Sequence, residues 1–396
     1  MTLQPLPLPA GLTSRTVQTT DLNIHIIEAG HTPANDKPLI LLLHGFPEIA
    51  YSWRRVIPKL AAAGFYVVAP DQRGFGRTTG WDTRSYEEAD LSTFSLTSLV
   101  RDIIYLVHAL GYRSVRCVAG HDCGAVSAAM CALMRPDFFQ SVALMSHPFN
   151  GSPEIPFDTA NVDAVRAGSD KAGGEGSAAA GIHEQLAKMG RKHYKWYYST
   201  REAGPEMSDL GPVEMQRFLR GYFHLKSGSW SGNRPHPLEK WSAADLAKLP
   251  GYYVMPLELS MPATVARDMA LEPENLASHS WLPDEELAVY AGEYGRTGFQ
   301  GGLNWYRVHT AAGGKYSKDL DIFAGKKIEP PCAFVSGKVD WGNYQQPGAI
   351  EKMKNGVSCA DLRILRLVDG VGHWTPQECP DEVAQAILDL IGDVHE

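Results

Sequence analysis

The chain has 396 residues and a formal net charge of −8, with 44% hydrophobic and 21% charged residues. This composition is close to the globular average and excludes a disordered chain, a collagen-like fibre and a coiled coil. The length exceeds that of a usual single domain, so we expect a large core with a second module or a long insertion. The acidic balance argues against nucleic-acid binding, and no apolar run is long enough to span a bilayer.

The amino terminus and the cysteines bear on the compartment. The first residues lack a charged segment followed by an apolar one, so we expect no signal peptide. The six cysteines are sparse and show no CxxC spacing, which is typical of free thiols in a reducing cytoplasm. We therefore predict a cytoplasmic protein, and the sequence leaves a homodimer open.

Short apolar runs alternate with helical stretches in both outer parts of the chain. The predicted strands are Leu22–Glu28, Leu39–Leu43, Phe65–Ala69, Val115–Ala119, Ser141–Met145, Ala333–Val335 and Leu362–Val368. The predicted helices of these parts are Tyr51–Ala63, Leu96–Leu110, Gly124–Met134 and Pro380–Ile391. Several strands are continuous apolar runs, as expected of parallel strands buried on both faces. The pattern predicts an α/β fold with a mostly parallel sheet between layers of helices.

The alternation stops after Met145 and returns at Ala333. From about His147 to about Thr310 the pattern is helical and shows no clear buried strand. The predicted helices there are Ile182–Tyr198, Pro212–Tyr222, Ala243–Lys248 and Pro283–Tyr294. We therefore predict a core in two parts, 1–147 and 311–396, with a helical cap at 148–310. Ligands of open α/β sheets bind at the carboxyl ends of the strands, where such a cap would enclose the site.

One predicted strand runs into a sharp turn, Gly120-His121-Asp122-Cys123-Gly124, that a helix follows. This is the setting of a nucleophile elbow, whose central residue, usually serine, is here Asp122. A carboxylate that attacks saturated carbon forms an ester, which an activated water can cleave, whereas a serine would form an ether. The turn therefore predicts displacement at sp³ carbon. The alternative is a helix N-cap, a position that aspartate also favours.

Two backbone N–H groups are expected to stabilise an oxyanion at the Asp122 carboxyl. One belongs to Cys123, whose thiol is expected to point away from the apex of the elbow and is a poor candidate nucleophile. The other belongs to Phe46, in the tight turn after the strand Leu39–Leu43. We expect His44, in the same turn, to be a structural histidine that hydrogen-bonds to backbone rather than a catalytic base.

His373 lies in a glycine-flanked loop after the strand Leu362–Val368, where it is placed to activate water. Asp340 follows the preceding strand and can accept the histidine Nδ1–H, which fixes the tautomer. Asp369 and Glu154 are the alternatives for this acid. The order of nucleophile, acid and histidine along the chain is that of α/β-hydrolases. The chain has 14 histidines, so a loop histidine without a role is the alternative for the base.

These segments resemble those of the soluble epoxide hydrolases of the α/β-hydrolase superfamily, and the resemblance covers most of the chain. The matching segments include His44-Gly45-Phe46-Pro47-Glu48, Ala69-Pro70-Asp71-Gln72-Arg73-Gly74-Phe75-Gly76, Gly120-His121-Asp122 and Gly372-His373-Trp374-Thr375. The resemblance fails over about Gly168–Gly190, which looks like an insertion. It also departs at Cys123, where many relatives carry a tryptophan that lines the pocket. A wider or reshaped pocket is therefore expected beside the nucleophile.

The resemblance implies two tyrosines that donate a proton to the epoxide oxygen. Gly298–Arg307 looks like the family segment that carries one of them, which implies Tyr306. The cap segment His193–Tyr198 is similar to the other, more loosely, and implies Tyr194. The alternatives in this segment are Tyr197 and Tyr198, and ordinary aromatic packing would also account for the cluster.

The resemblance implies hydrolysis of a small epoxide to a vicinal diol, with no metal and no organic cofactor. Trp305 and Trp374 lie in the matched segments and are expected to contact the substrate. The nearest alternative is a dehalogenase acting on a haloalkane or haloacid, which needs an indole N–H or an arginine where this chain has Cys123. From a different class comes a non-catalytic ligand-binding protein of this fold, which would have no need of the whole catalytic set.

Overall fold

The computed structural model describes residues 3–153 and 174–392, and an eight-stranded sheet forms their centre. The strands are β1 (Thr13–Gln18), β2 (Asn23–Ala29), β3 (Leu39–Leu43), β4 (Tyr66–Pro70), β5 (Cys117–His121), β6 (Val142–Met145), β7 (Arg191–His193), β8 (Val254–Pro256), β9 (Cys332–Gly337) and β10 (Leu362–Val368). The large sheet has the order β1-β2-β4-β3-β5-β6-β9-β10, while β7 and β8 form a sheet of their own.

Helices cover the sheet and fill the interval between its two parts. They are α1 (Ile57–Ala62), α2 (Leu96–Ala109), α3 (Cys123–Met134), α4 (Gly174–Lys188), α5 (Tyr194–Tyr198), α6 (Ala203–Ser208), α7 (Gly211–Leu225), α8 (Ala243–Leu246), α9 (Met261–Met269), α10 (Asp284–Thr297), α11 (Gln300–Thr310), α12 (Ala349–Lys354), α13 (Thr375–Glu378) and α14 (Pro380–Gly392). Short 3₁₀ helices occur at Ala50–Trp53, Leu91–Phe94, Ala277–Ser280, Ala311–Phe323 and Trp341–Asn343. No helix of the described ranges is long and apolar enough to cross a membrane.

The predicted mostly parallel α/β sheet is confirmed. From β4 to β10 in the order of the sheet all neighbouring strands pair in parallel, whereas β2 pairs antiparallel with both β1 and β4. The central strands β3, β4, β5, β6 and β9 are buried along their whole length, as their continuous apolar sequences require. The predicted bounds Leu39–Leu43 and Leu362–Val368 are correct, and the other predicted strands are shifted by one or two residues.

Two predictions about local structure are wrong. The predicted helix Tyr51–Ala63 is a 3₁₀ turn followed by the shorter α1, because Pro58 fits only the first turn of a helix. The predicted helix Ile182–Tyr198 ends at Lys188, since Gly190 adopts a left-handed conformation with φ of +69°. The chain then forms β7, a short and only partly buried strand that pairs antiparallel with β8.

The sheet is interrupted as expected. Between Met145 and Cys332, no strand in the part that the structure describes joins the large sheet. This arrangement agrees with a core of 1–147 and 311–396 and a cap of 148–310, a division that stays a prediction. Of the predicted insertion Gly168–Gly190, residues 168–173 lie outside the described residues, and the chain is helical from Gly174. Glu154 also lies outside them.

Glycines bring the cap segment α11 onto the turns at the carboxyl ends of the strands. A Cβ atom on Gly301 would lie 2.0 Å from the carbonyl oxygen of Gly74, in the turn after β4. A Cβ atom on Gly302 would lie 2.8 Å from the ring of Phe46, in the turn after β3. Side chains at these two positions would hold α11 away from the core. The glycine pair therefore sets the position of Tyr306, which lies one turn further along α11.

Candidate active site

Asp122 lies at the apex of a strained turn between β5 and α3. Its φ of 52° and ψ of −122° are unusual for a residue with a side chain. The neighbouring backbone is packed too closely for larger residues, since a Cβ atom on Gly120 would lie 2.1 Å from the Gly124 carbonyl oxygen. A Cβ atom on Gly45 would lie 2.4 Å from the Cβ atom of Asp122. The turn therefore holds the Asp122 carboxyl above the end of the sheet, with 13% of its side chain exposed.

The Phe46 N–H donates a hydrogen bond to Oδ1 of Asp122 over 3.1 Å, as expected of an oxyanion donor. The Cys123 N–H forms no hydrogen bond to that carboxyl within the described structure, so its part as second donor stays a prediction. Burial, followed by the charges of Asp122 and Glu48, raises the pKa of the Cys123 thiol well above its usual value. The thiol is therefore protonated at neutral pH and a poor nucleophile.

His373 lies between Asp122 and Asp340. Its Nδ1 is 3.1 Å from Oδ2 of Asp340, and its Nε2 is 3.3 Å from Oδ2 of Asp122. The alternative acid Asp369 pairs instead with Lys338 and has 85% of its side chain exposed. The structure therefore brings together the three residues that the chain order had suggested, and places Asp369 outside the site.

Both carboxyls beside His373 have lowered pKa values. Burial alone would raise the pKa of Asp122, but the contact with His373 and the charges of His373 and Lys226 hold it well below its ordinary value. Burial likewise opposes ionisation of Asp340. This effect is outweighed by His373, by the Gly342 N–H and by the charge of Lys226. Both groups are therefore carboxylates at neutral pH, as a nucleophile and an orienting acid must be.

A buried ion pair of His121 and Glu48 supports the loop that carries His373, called here the histidine loop. Nδ1 of His121 lies 2.5 Å from Oε2 of Glu48, and its Nε2 lies 2.7 Å from the His373 carbonyl oxygen. Against the effect of burial, this pairing lowers the pKa of Glu48 to about 2 and raises that of His121. The Ser146 hydroxyl donates to the same carbonyl over 2.7 Å. Sequence reasoning had assigned no role to Glu48 or His121, although both lie in motif segments.

Glu378, at the end of α13, holds the other side of the histidine loop. It accepts the N–H groups of Gly372 and Trp374 and also that of Gly228 in the cap, over 2.7 to 3.0 Å. Burial nevertheless dominates and raises its pKa to about 7. His44, as expected, is structural, because its Nδ1 lies 2.8 Å from the Gly45 carbonyl oxygen and its Nε2 accepts the Gln72 N–H.

Two tyrosine rings of the predicted cap, those of Tyr306 and Tyr198, pack on Phe46 beside Asp122, and the Tyr194 ring packs on both of them. The ring centre of Tyr306 lies 5.6 Å from that of Phe46, 5.9 Å from that of Tyr194 and 5.0 Å from that of Tyr198. Burial, followed by the charge of Asp122, raises the pKa of both Tyr306 and Tyr194 well above the usual value. Both phenols are therefore protonated at neutral pH, as proton donors must be.

The hydroxyl partners separate the candidate donors. Tyr197 donates to Glu206 over 2.7 Å, and Tyr198 donates to Tyr222 over 3.1 Å. The Tyr194 hydroxyl reaches Gln345 only at 3.4 Å, and that of Tyr306 has no hydrogen-bond partner among the residues described. Among the candidate donors, Tyr306 and Tyr194 therefore have the hydroxyls that are least committed elsewhere.

Two further buried groups were not found from the sequence. The Lys226 ammonium, 3% exposed as a residue, lies 4.8 to 5.9 Å from the ring centres of four aromatic residues, which are Tyr222, Tyr252, Tyr253 and Trp374. The hydroxyl of Tyr253 is buried without a hydrogen-bond partner in the described ranges. The carbonyl of Lys226 accepts the His373 N–H over 2.8 Å, so this cation is tied directly to the histidine loop. A lone lysine in an aromatic segment gave no sequence signal for this position.

Trp305 and Trp374 are buried, and backbone carbonyls accept both of their indole N–H groups. Trp305 donates to Arg73 over 2.9 Å and packs on Phe75, while Trp374 donates to Phe223 over 2.7 Å. Neither N–H is free to bind a halide or a substrate oxygen. Contact of the two rings with substrate stays a prediction.

Known proteins share both the sequence pattern and the fold. Residues 38–170 match the α/β hydrolase fold family. Epoxide hydrolase B of Mycobacterium tuberculosis is 31% identical over 380 residues, which are 93% of this chain and 95% of that protein. Epoxide hydrolase 2 of Siraitia grosvenorii is 28% identical, over 95% of this chain and 97% of that protein.

Solved structures agree with this relationship. An epoxide hydrolase from an endophytic Streptomyces has a TM-score of 0.71 at 28% identity, with 98% of this chain and 97% of that chain covered. Epoxide hydrolase I of potato (Solanum tuberosum) has a TM-score of 0.66 at 26% identity, with 96% and 99% covered. By full-length sequence identity and by fold, the chain belongs to the epoxide hydrolase family of the α/β-hydrolases.

Proposed function

We propose that this protein hydrolyses epoxides to vicinal diols through an ester formed on Asp122. The observation that carries the proposal is the position of the Asp122 carboxylate, between the Phe46 N–H on one side and His373 on the other. A general base that only activated water would not need a carboxylate at the apex of a nucleophile elbow.

Ring opening is the first step. A carboxylate oxygen of Asp122 bonds to one epoxide carbon while the bond from that carbon to the ring oxygen breaks. The ring oxygen would leave as a strongly basic alkoxide, so it takes the phenolic proton of Tyr306 or Tyr194. The products of this step are a hydroxyalkyl ester and one phenolate. General acid help of this kind contributes roughly 10²–10⁴-fold to rate.

Hydrolysis of the ester is the second step. His373, oriented by Asp340, takes a proton from a water that attacks the carbonyl carbon of the ester. The oxyanion forms on the Asp122 carboxyl, where the N–H of Phe46 and, in this scheme, that of Cys123 stabilise it. Collapse of this intermediate releases the diol, which takes the proton from His373. The proton of the regenerated Asp122 carboxyl then restores the tyrosine.

The alternative of a dehalogenase is less well supported. A halide leaving group is weakly basic and needs N–H donors rather than phenols. In this site the indole N–H groups of Trp305 and Trp374 are bound to backbone carbonyls, whereas the Tyr306 hydroxyl has no partner in the part of the chain described. The donors that remain therefore fit an alkoxide leaving group.

A direct test compares substrates on the purified protein. Styrene oxide, a long-chain epoxide, haloacetate and a haloalkane are assayed together, with diol and halide release measured. Wild type is expected to form diol from an epoxide and to release little halide, and Asp122→Asn serves as the matched background. Faster halide release than opening of any epoxide, or no diol from any epoxide, would overturn the proposal.

A further inference from the structure

Lys195 directly follows the proposed donor Tyr194 in α5. It is half-buried, and its ammonium lies 6.0 Å from the centre of the Tyr194 ring. No carboxylate and no hydrogen-bond acceptor contacts the ammonium within the described residues. A half-buried cation without a counter-ion is costly to hold in place, so its position needs a reason.

Two histidines from other elements lie near enough to Lys195 for its charge to act on them. His309 is three residues after Tyr306 on α11, so the two share one face of that helix. His147 follows β6 at the carboxyl edge of the sheet. Basic side chains therefore occur on α5 and α11, close in sequence to the two tyrosines, and in the turn after β6.

The electrostatics agree with this placement. Burial and then the charge of Lys195 lower the pKa of His147 to about 4, while Asp122 opposes the change. His309 is exposed as a residue, and its Nδ1 lies 3.1 Å from the Ser317 hydroxyl oxygen. The protein around its ring, followed by the charge of Lys195, lowers its pKa. Burial also lowers the pKa of Lys195, and the nucleophile Asp122 is the carboxylate that opposes this. At neutral pH the group thus combines one ammonium with two neutral imidazoles.

We propose that Lys195, with His147 and His309, binds a carboxylate carried by the substrate, so that short epoxy acids are the preferred epoxides. The inference rests on the proposed function and adds the substrate class to it. An anionic substrate would be repelled by Asp122 and Asp340, and an unpaired ammonium beside the ring-opening tyrosine offsets that repulsion. Because Lys195 adjoins Tyr194, the carboxylate must lie only a few bonds from the epoxide ring.

The test measures kcat and KM for phenylglycidate, its methyl ester and styrene oxide. Wild type is expected to favour the acid over its ester. Lys195→Met should lower kcat/KM for the acid by about 10–100-fold, the size of a lost charge-assisted hydrogen bond, mostly through KM. The kcat/KM values for the two neutral epoxides should change by less than about threefold, because these substrates have no carboxylate for Lys195 to bind. Lys195→Arg should keep the preference for the acid.

Lys192→Met is the matched control. Lys192 lies on β7, with its ammonium 4.9 Å from the centre of the Tyr197 ring, and lines a separate surface pocket with Glu206. Lys192→Met should leave kcat/KM unchanged for the acid and for the neutral epoxides. A second measurement needs no variant, since a short aryl carboxylate without an epoxide should inhibit wild-type turnover of styrene oxide more strongly than the matching amide.

The outcomes separate the two proposals. If wild type hydrolyses the ester and styrene oxide but does not favour the acid, the carboxylate site is wrong and the epoxide hydrolase function stands. The same holds if Lys195→Met slows all three epoxides equally. If the protein hydrolyses no epoxide, charged or neutral, the proposed function itself fails.

Discussion

Nε2 of His373 lies 3.3 Å from Oδ2 of Asp122, yet it has no hydrogen-bond partner among the residues that the structure describes. The two groups are close enough for charge interaction but are not aligned for proton transfer between them. The nitrogen is instead free to face a water molecule beside the Asp122 carboxyl. This geometry suits a base that acts on the ester and not on the nucleophile, which needs no activation because it is already ionised.

His373→Gln is expected to trap the ester, because the variant can still form it but cannot activate water. Mass spectrometry of the intact variant after incubation with an epoxide should show the mass of protein plus substrate. A conservative change outside the site, Asp369→Asn, should leave turnover unchanged, since that side chain is exposed and pairs with Lys338. An unmodified His373→Gln protein after long incubation would mean that the histidine is required before ester formation.

Asp122→Asn should lose steady turnover, because an amide is a far poorer nucleophile than a carboxylate. In the proposed mechanism water attacks the carbonyl carbon of the ester, so one oxygen from water would remain on Asp122. A single turnover in ¹⁸O-water should therefore place label in the Asp122 carboxyl, as peptide mass analysis would detect. Label found only in the diol would indicate direct attack of water on the epoxide.

Single and double tyrosine variants test the proton donors. Tyr306→Phe or Tyr194→Phe should each slow ester formation, and the double variant should nearly abolish it, since general acid help is worth roughly 10²–10⁴-fold. Tyr197→Phe is the control, because its hydroxyl is bound to Glu206. The measurement is the pre-steady-state alkylation rate. An unchanged rate in Tyr306→Phe, or a loss in Tyr197→Phe as large as in Tyr194→Phe, would contradict the assignment.

Much of the core, and the positions of the candidate catalytic residues, could be predicted because local sequence determines them. The buried parallel strands are continuous apolar runs, and Asp122 and Asp340 each follow such a strand, while His373 follows the partly exposed β10. The strand β1 was missed because its sequence is polar and five of its six residues are exposed at the sheet edge. The strands β7 and β8 have three residues each, which is too short for a periodic pattern.

The supporting groups could not be predicted because their partners are distant in the chain. Glu48 and His121 are 73 residues apart, and neither segment indicates that the other lies beside it. Lys226 is surrounded by aromatic rings from three segments, which only the packing of the cap on the histidine loop brings together. The tyrosines were ranked by resemblance, and the hydroxyl partners of Tyr197 and Tyr198 became evident only in the structure.

Glu378 should make the stability of the protein depend on pH. Its pKa is raised from 4.5 to about 7 in the folded state, so folding favours the protonated form. This contribution is fully present below the unfolded pKa of 4.5 and is lost as the pH rises through about 7. A shift of this size corresponds to an upper bound of about 3–4 kcal/mol.

Glu378→Gln removes this titration and is the comparison that isolates it. The Tm of wild type relative to the variant should fall as the pH is raised from 5 to 8, roughly the window between the two pKa values. The lowered pKa values of Asp122, Asp340 and Glu48 make stability rise with pH, but they do so below that window. These groups are present in both proteins, so their effect cancels in the comparison. Parallel Tm curves for the two proteins would show that Glu378 does not titrate there.

The contact between Gly301 and Gly74 predicts that the position of α11 can be disturbed by a single methyl group. A Cβ atom on Gly301 would lie 2.0 Å from the Gly74 carbonyl oxygen, so Gly301→Ala must push α11 outward. Overpacking of this kind typically costs about 1–3 kcal/mol of unfolding free energy. The displacement also carries Tyr306 away from Asp122, so the alkylation rate should fall together with stability.

Gly292→Ala is the matched control, because Gly292 lies within α10 and a Cβ atom there would meet nothing within 4 Å. That change should leave the alkylation rate unaltered and stabilise the helix by up to about 1 kcal/mol, since alanine is the better helix former. Urea unfolding and the single-turnover rate are measured for both variants. If Gly301→Ala unfolds at the same urea concentration as Gly292→Ala and alkylates at the wild-type rate, the glycine contact does not position the tyrosine, and the placement of Tyr306 must depend on the aromatic cluster around Phe46 instead.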